Sequence, residues 1–257
     1  MSRAIAVRPV GPLTTPAANA AWVWVPETEP PDAEALARFA RARGIREAFV
    51  SVPWHGPTDA VRATTAALTA HGVRVSALGG DVGWARDPAL AQAWARRALV
   101  EPRFTGVHLD IEPWTLPDWP EQAGPLLAGL ARAVAAVVRS TGLPVAVDLT
   151  PGLARTHRSG FVSVARAATS VTVMSYRDTA SAILEFSAEA RRALRSTGRD
   201  YRLAVDTLPS GDAHTTFFGQ AAGDLARETG TVAESLAADA RFSGLAVHDL
   251  RGWMSLA

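Results

Sequence analysis

One short hydrophobic segment carries three ionisable side chains at alternate positions. Within Val107–Glu112, apolar residues alternate with His108, Asp110 and Glu112. Residues two apart in a β-strand lie on the same face, so these three groups are predicted to face one side of a strand and the apolar residues the other. Ionisable groups in a protein interior are costly unless they are paired, and rows of this kind are typical of functional sites.

The pair Asp110 and Glu112 has the composition that acid catalysis requires. One strand repeat separates the two carboxylates by about 6.6 Å along the strand, close enough for each to change the proton affinity of the other. One can then stay ionised while the other keeps a proton and acts as a general acid, as glycoside cleavage requires. The alternative is a structural role, in which both carboxylates hold neighbouring loops through hydrogen bonds.

Such a row needs a scaffold that brings several strand ends together. Short β-type runs alternate along the chain with longer helical patterns, which indicates repeated βα units. At 257 residues the chain has the length of one α/β barrel, about 250 residues. We therefore predict an α/β fold, a single (β/α)8 TIM barrel with its site at the C-terminal ends of the strands. The predicted strands are Ala21–Val25, Glu47–Val52, Val73–Leu78, Gly106–Ile111, Val145–Leu149, Val171–Ser175, Arg202–Val205 and Gly244–Val247.

The helical patterns and the chain ends complete this prediction. Residues 1–20 are expected to form a poorly ordered N-terminal arm, and residues 21–257 the barrel domain. Leu250–Ala257 is too short for a full closing helix, so the last helix is expected to be short or missing. Pro209–Glu228 is long for a connection and is predicted to be a loop over the barrel mouth. The predicted helices are Asp32–Arg43, Thr58–Ala70, one starting at Asp87 and Pro88, Glu121–Ser140, Phe161–Ala168, Ala180–Ser196 and Thr231–Ala240.

The fourth predicted strand resembles a catalytic motif. In the family 18 glycoside hydrolases, the chitinase-like barrels, this strand carries Asp-Gly-x-Asp-x-Asp-x-Glu, and the same positions here run from Thr105 to Glu112. The last Asp and the Glu are kept as Asp110 and Glu112, whereas Thr105 and His108 stand where the family has Asp. The resemblance implies that Glu112 protonates the leaving oxygen and that Asp110 orients the acetamido group of the substrate.

Two further strands carry parts of the resemblance. Met174-Ser175-Tyr176-Arg177 is similar to the family's Met-x-Tyr-Asp, in which the Tyr hydroxyl steadies the reacting acetamido group. This implies the same role for Tyr176, while Arg177 replaces the Asp. Trp253 follows the eighth predicted strand, near which the family closes its sugar site with an aromatic residue. His248, at the end of that strand, is a departure from the family.

Acidic and aromatic residues follow several other predicted strands. The hydroxyl groups of a sugar would pair with the acids, and Trp faces would cover its apolar C–H surfaces. Each Trp taken alone could equally pack in the core or at the rim, and Asp81 and Asp148 could equally cap loops. The predicted substrate-binding residues are Trp24, Asp81, Trp114, Asp148, Arg177, Asp206 and Trp253, and Trp54 and Trp84 also lie near strand ends.

The composition argues against several classes of partner. The 26 basic and 25 acidic residues give a net charge of +1 and form no Lys/Arg-rich run, so we expect neither nucleic acid nor a membrane as a partner. The chain has no cysteine for disulfides or thiolate metal sites. Met1–Ala20 lacks the apolar core of a secretory signal, so we expect a cytoplasmic protein. We expect no cofactor, because phosphate and dinucleotide loop motifs are missing.

His108 and His248 are both predicted to face the barrel interior. With Asp81, Asp110 and Glu112 they could ligate a divalent metal. No pair among them has the short helical spacing of recognisable metal motifs, so no metal site is predicted. We favour a His–carboxylate pair that transfers protons.

These residues support three functions. The first is a glycoside-hydrolase-like enzyme that acts on a glycosidic or related acetal bond, with Glu112 as acid, Asp110 as partner and Tyr176 as stabiliser. The second is a small-metabolite acid–base enzyme, a dehydratase or cyclase, that uses His108 or His248 with Glu112; the expected cytoplasmic location favours it. The third is a non-catalytic carbohydrate-binding barrel, against which the presence of Glu112 argues. The substrate is expected to be a small molecule or an oligosaccharide.

Overall fold

The computed structural model describes residues 17–101 and 103–256. Within these residues, eight parallel strands close into a barrel in chain order, and the last strand pairs with the first. The predicted single (β/α)8 barrel is therefore confirmed. The strands are β1 Ala18–Val23, β2 Glu47–Ser51, β3 Arg74–Gly79, β4 Phe104–Leu109, β5 Val145–Leu149, β6 Ser170–Met174, β7 Asp200–Asp206 and β8 Phe242–His248.

The helices follow the strands and cover the outside of the barrel. Several of their starts are set by local sequence, because the side chains of Asp32, Thr58, Asp87 and Thr179 accept backbone N–H bonds at helix N-termini. The helices are α1 Ala33–Ala42, α2 Asp59–Ala70, α3 Pro88–Ala98, α4 Trp119–Thr141, α5 Gly152–Thr156, α6 Arg158–Ala167, α7 Ala180–Arg195, α8 Ala222–Ser235 and α9 Leu250–Met254. Short 3₁₀ turns lie at Val82–Ala85, Pro113–Thr115 and Ala213–Thr215.

The connection before α8 is shorter than predicted. α8 begins at Ala222, inside the segment 209–228 predicted as a loop, and ends at Ser235, so the predicted helix Thr231–Ala240 is also wrong in its bounds. Two glycines lower the helical propensity of this stretch and mask its pattern. The pattern is nevertheless helical, because the buried residues recur at helical spacing as Leu225, Thr229 and Val232.

The ends of the chain agree with the prediction only in part. α9 spans five residues, so the expected short last helix is confirmed. β1 begins at Ala18, so the last residues assigned to the N-terminal arm belong to the barrel. The rest of that arm, residues 1–16, lies outside the described residues.

Apolar residues fill two separate regions, one between strands and helices and one inside the barrel. Val107, Leu109 and Ile111 pack in the outer region. His108 instead stacks on Phe49 inside the barrel, with ring centroids 3.7 Å apart. The predicted alternation along Val107–Ile111 is therefore confirmed. The apolar interior consists of Ala20, Trp22, Phe49, Leu78, Ala204 and Ala246.

α4 is long and apolar enough, by length and composition alone, to cross a membrane. Here one side of it is buried in the outer core, as for a helix that covers a barrel wall. It packs closely at Gly129, where a Cβ atom would lie 1.7 Å from the carbonyl oxygen of Ala85. Gly124 of the same helix has no atom within 4 Å of such a Cβ among the described residues.

These two glycines allow a matched test of the packing of α4. We expect Gly129→Ala to lower the free energy of unfolding by about 1–3 kcal/mol, because the methyl group displaces the backbone at Ala85. Gly124→Ala should leave stability unchanged or raise it by up to about 1 kcal/mol, through helix propensity alone. Urea unfolding of both variants measures the difference, and equal effects would contradict the close approach.

Candidate active site

Polar side chains from six strand ends meet inside the barrel at its C-terminal end. β4 and the residues after it supply His108, Asp110 and Glu112. Inward-facing positions at the ends of the other strands supply further acids, a tyrosine and a second histidine. In barrel enzymes this end carries the active site. The group consists of Trp22, Trp24, His108, Asp110, Glu112, Asp148, Tyr176, Asp206 and His248.

His108 and Asp148 form a fully buried pair. The Nε2 atom of His108 lies 2.7 Å from Oδ1 of Asp148, and neither side chain is exposed. Burial lowers the pKa of His108 to about 4, although the carboxylates of Asp110 and Glu47 act in the opposite direction. His108 is therefore neutral at pH 7 and serves as a hydrogen-bonding group in the floor of the site.

Asp110 and Asp148 are acids that tend to keep a proton. Burial, followed by the charges of Asp148 and Glu112, raises the pKa of Asp110 well above its usual value. Burial and the charge of Glu112 do the same to the pKa of Asp148. Oδ1 of Asp110 and Oδ2 of Asp148 have no hydrogen-bond partner among the described residues. The Asp148 carboxyl also lies close enough to Asp110 and Trp22 for their hydrogen bonds to oppose part of the rise in its pKa.

Glu112 stands at the mouth, where β4 has ended. Its Oε2 accepts a hydrogen bond of 3.0 Å from the indole Nε1 of Trp114. Pro113 starts a 3₁₀ turn directly after it, and the hydroxyl of Thr115 donates to the Glu112 carbonyl oxygen. This turn fixes the backbone of the acid while the carboxyl group remains partly exposed.

A close backbone contact positions Asp110. Its N–H donates to the carbonyl oxygen of Gly79 at 3.0 Å. The next residue, Gly80, packs so tightly that a Cβ atom there would lie 1.8 Å from the carbonyl oxygen of Asp110. The pair Gly79-Gly80 thus lets the end of β3 approach the acid, which the sequence prediction did not use.

Asp206, His248 and Trp24 form a second hydrogen-bonded group. Nδ1 of His248 lies 2.7 Å from Oδ1 of Asp206, and the indole of Trp24 donates to Nε2 of His248 at 3.1 Å. Burial by itself lowers the pKa of His248, but the hydrogen bond and charge of Asp206 outweigh it and raise the pKa. Asp206, which is predicted to bind substrate, therefore hydrogen-bonds His248 through one carboxylate oxygen.

Tyr176 lies beside this group, with its ring stacked on that of His248 at 5.9 Å between centroids. Burial raises the pKa of Tyr176 well above its usual value, and the charges of Asp148 and Asp110 add to the effect. The hydroxyl therefore keeps its proton and can donate a hydrogen bond.

Four predicted substrate-binding residues lie outside this group, and one of them, Trp114, makes a hydrogen bond to it through Glu112. Trp253 is buried in the outer core, where it packs on Phe39, so its position corrects the prediction that it faces the mouth. Arg177 points away from the interior and places its guanidinium 4.0 Å from the ring centroid of Phe186. Asp81 caps the turn that follows β3 through a 2.7 Å bond from the Gly83 N–H.

Aromatic residues at the rim differ in their burial. Trp54 is 45% exposed, and together with Trp84 and Asp81 it lines a cavity of about 320 Å³. Trp94 forms part of the same wall and donates its indole N–H to the Val52 carbonyl oxygen. This cavity lies beside the ends of β2 and β3.

Trp22 is an interior residue that the sequence analysis missed. Its ring makes edge contacts with Phe49, His108 and His248. It precedes Trp24 by two residues, so the alternation that identified His108 and Asp110 would also have placed both tryptophans inside. Trp22 separates the two histidines and gives each an apolar wall.

A salt bridge lies at the opposite end of the barrel interior. Arg202 donates to Oε2 of Glu47 at 2.8 Å, and Ser76 donates to Oε1 at 2.9 Å. Burial acts to raise the pKa of Glu47, but these partners outweigh it and lower the pKa. Residues at this end of a barrel contribute to stability rather than to catalysis.

Residues 17–101 and 103–256 contain no group of three or more histidine or acidic side chains arranged to hold a metal ion. No family model matches the chain, and no curated protein matches it.

Solved structures do resemble this barrel. A fucosidase-like protein from Bacteroides thetaiotaomicron gives a TM-score of 0.63 at 10% identity, over 97% of this chain and 90% of that chain. The spore cortex-lytic enzyme SleL of Bacillus cereus gives 0.62 at 10% identity, over 93% and 73%. A class V chitinase from Pseudomonas fluorescens gives 0.58 at 11% identity, over 93% and 98%. The fold is thus that of glycoside-hydrolase barrels, and the resemblance to chitinase-like barrels is confirmed at the level of the fold.

The two interior histidines should titrate at opposite ends of the usual range. We expect His108 to titrate near pH 4 and His248 above the ordinary value for histidine, because burial dominates the first pKa and Asp206 the second. At about pH 5.5, His108 should then be neutral and His248 charged. NMR titration of labelled histidine rings, assigned with His108→Gln and His248→Gln, measures both values. A common pKa for the two rings would refute this assignment.

Proposed function

We propose that this protein is a glycoside-hydrolase-like enzyme that cleaves a glycosidic or related acetal bond, with Glu112 as the general acid. The observation that carries the proposal is the placement of Glu112 and Asp110 together at the C-terminal mouth of the barrel. The hydrogen bond from Trp114 orients the Glu112 carboxyl group, and its partial exposure leaves it accessible to a substrate.

In this mechanism Glu112 gives its proton to the leaving oxygen as the bond from that oxygen to the anomeric carbon breaks. Asp110 is the partner: its carboxyl group lies in the interior beside Glu112, where it can hydrogen-bond a sugar substituent. Tyr176 donates its hydroxyl proton to an oxygen on which charge develops, and His108 and Asp148 support the floor beneath.

A sugar is the substrate class that best fits this mouth. Acids and a tyrosine offer partners for hydroxyl groups, and Trp24 and Trp114 are half-buried rings beside them. Proteins of similar fold include a fucosidase-like protein and a chitinase, which favours a small glycoside or an oligosaccharide.

The second candidate, a small-metabolite acid–base enzyme, is favoured by the two His–carboxylate pairs inside the barrel. Such an enzyme would move protons with His248 or His108 and would need no acetal bond. Loss of a dehydration or cyclisation activity in His248→Gln, without any sugar hydrolysis by the native protein, would favour this alternative.

Glu112→Gln tests the leading proposal on a panel of 4-nitrophenyl glycosides that includes N-acetylhexosaminides. We expect kcat/KM to fall by about 10²–10⁴, because the amide has no proton to give to the leaving group. Glu121→Gln, on the exposed first turn of α4, is the matched control and should keep full activity. Unchanged turnover in Glu112→Gln would remove the acid from the mechanism. Sugar binding without chemistry in the native protein would indicate a binding barrel.

A further inference from the structure

Glu112 and His248 approach the same space from opposite walls. In the closed barrel β4 and β8 are four strands apart in either direction, so they face each other across the interior. Glu112 follows β4 in the interior phase, and His248 is the last residue of β8 in the interior phase. A substrate held in the mouth would therefore lie between an acid and an imidazole.

The hydrogen bonds of His248 fix both its ring and its tautomer. Nδ1 carries the proton that Asp206 accepts, since Nε2 itself accepts the indole N–H of Trp24. Asp206 is held in turn by the Leu208 N–H, which donates to its Oδ2 at 3.2 Å. The ring of Tyr176 stacks on the imidazole. The basic lone pair therefore lies on Nε2, which in this structure accepts the Trp24 indole N–H.

We infer that the Asp206–His248 pair activates the attacking water directly, so that the reaction inverts the anomeric configuration and needs no acetamido group on the substrate. This inference rests on the proposed function, and it names the base that the proposal lacks. His248 is then a catalytic residue, because it touches the reacting water, and Asp206 is a positioning residue.

The step is a single displacement. Nε2 of His248 takes a proton from the water, the water oxygen bonds to the anomeric carbon, and the bond from that carbon to the leaving oxygen breaks. Glu112 gives its proton to the leaving oxygen at the same time. The products are a sugar of inverted configuration, a carboxylate at Glu112 and an imidazolium at His248, and proton exchange with solvent restores both groups. The water displaces the Trp24 indole from Nε2 to reach the lone pair.

This mechanism also changes the substrate class. In the chitinase-like barrels the acetamido group of the substrate is the reacting group, which restricts them to N-acetyl sugars. A protein base makes that group unnecessary, so sugars with a plain hydroxyl at C2 become substrates. The position of Arg177 is consistent with this change, since it replaces the family's Asp and turns away toward Phe186.

The anomer released by the native protein is the first test. NMR of the earliest product, recorded before mutarotation on whichever 4-nitrophenyl glycoside is cleaved, should show the inverted sugar. Cleavage of the 2-hydroxyl member of matched glucoside and N-acetylglucosaminide pairs supports the substrate class. Retained configuration, or cleavage confined to N-acetyl sugars, overturns the inference and leaves the proposed function standing. No cleavage of any glycoside overturns both.

Variants of the pair give the second test. His248→Gln should lower kcat/KM by about 10²–10⁴, the usual contribution of a general base. Asp206→Asn should lower it less, and should move the acid limb of the pH–rate profile to lower pH because the imidazole loses its negative partner. The other ionisable groups that face His248 are Asp110, Asp148, Asp249 and Tyr176, with Glu112 on the opposite wall, and they stay unchanged.

His71→Gln, at the far end of α2 and paired with Glu34, is the histidine control and should keep native kinetics. Circular dichroism and thermal unfolding identify variants that fail to fold. A folded Asp206→Asn variant with an unmoved acid limb, or added imidazole that fails to restore any activity to a folded His248→Ala variant, would overturn the inference.

Discussion

The barrel interior is a closed, narrow space, and every ionisable group placed there must be paired or neutral. This constraint explains both histidines of the site. His108 is remote from solvent and stays neutral against Asp148, whereas His248 is close enough to the mouth for Asp206 to favour its charged form. The two histidines therefore differ in pKa, because the ring of His108 lies deeper in the barrel than the ring of His248.

Apolar side chains inside the barrel pack against the two histidine rings. Phe49 lies flat against His108, and Trp22 separates the two histidine rings. The charged pair of Glu47 and Arg202 occupies the other end of the interior, where Ser76 also donates to Glu47. The acids at the mouth act on one another and on both histidines, and the charges of Glu47 and Arg202 also act on His108 from the other end.

The departures from the chitinase-like motif differ in their consequences. Thr105 lies near the start of β4, away from the mouth, and is exposed, so its replacement of an Asp does not change the mouth. His108 lies inside the site and finds a new acid partner on β5, Asp148.

The sequence by itself determined the βα order, the barrel, the interior phase of His108, Asp110 and Glu112, and the short last helix, because these depend on local periodicity and chain length. It missed the start of α8, where glycines masked the helical spacing, and it misplaced Trp253, because a residue just beyond a strand end can turn either inward or outward. Only the tertiary structure decided which acid pairs with which histidine. Those partners lie about 40 residues apart in the chain, and barrel closure, which no local pattern encodes, brings them together.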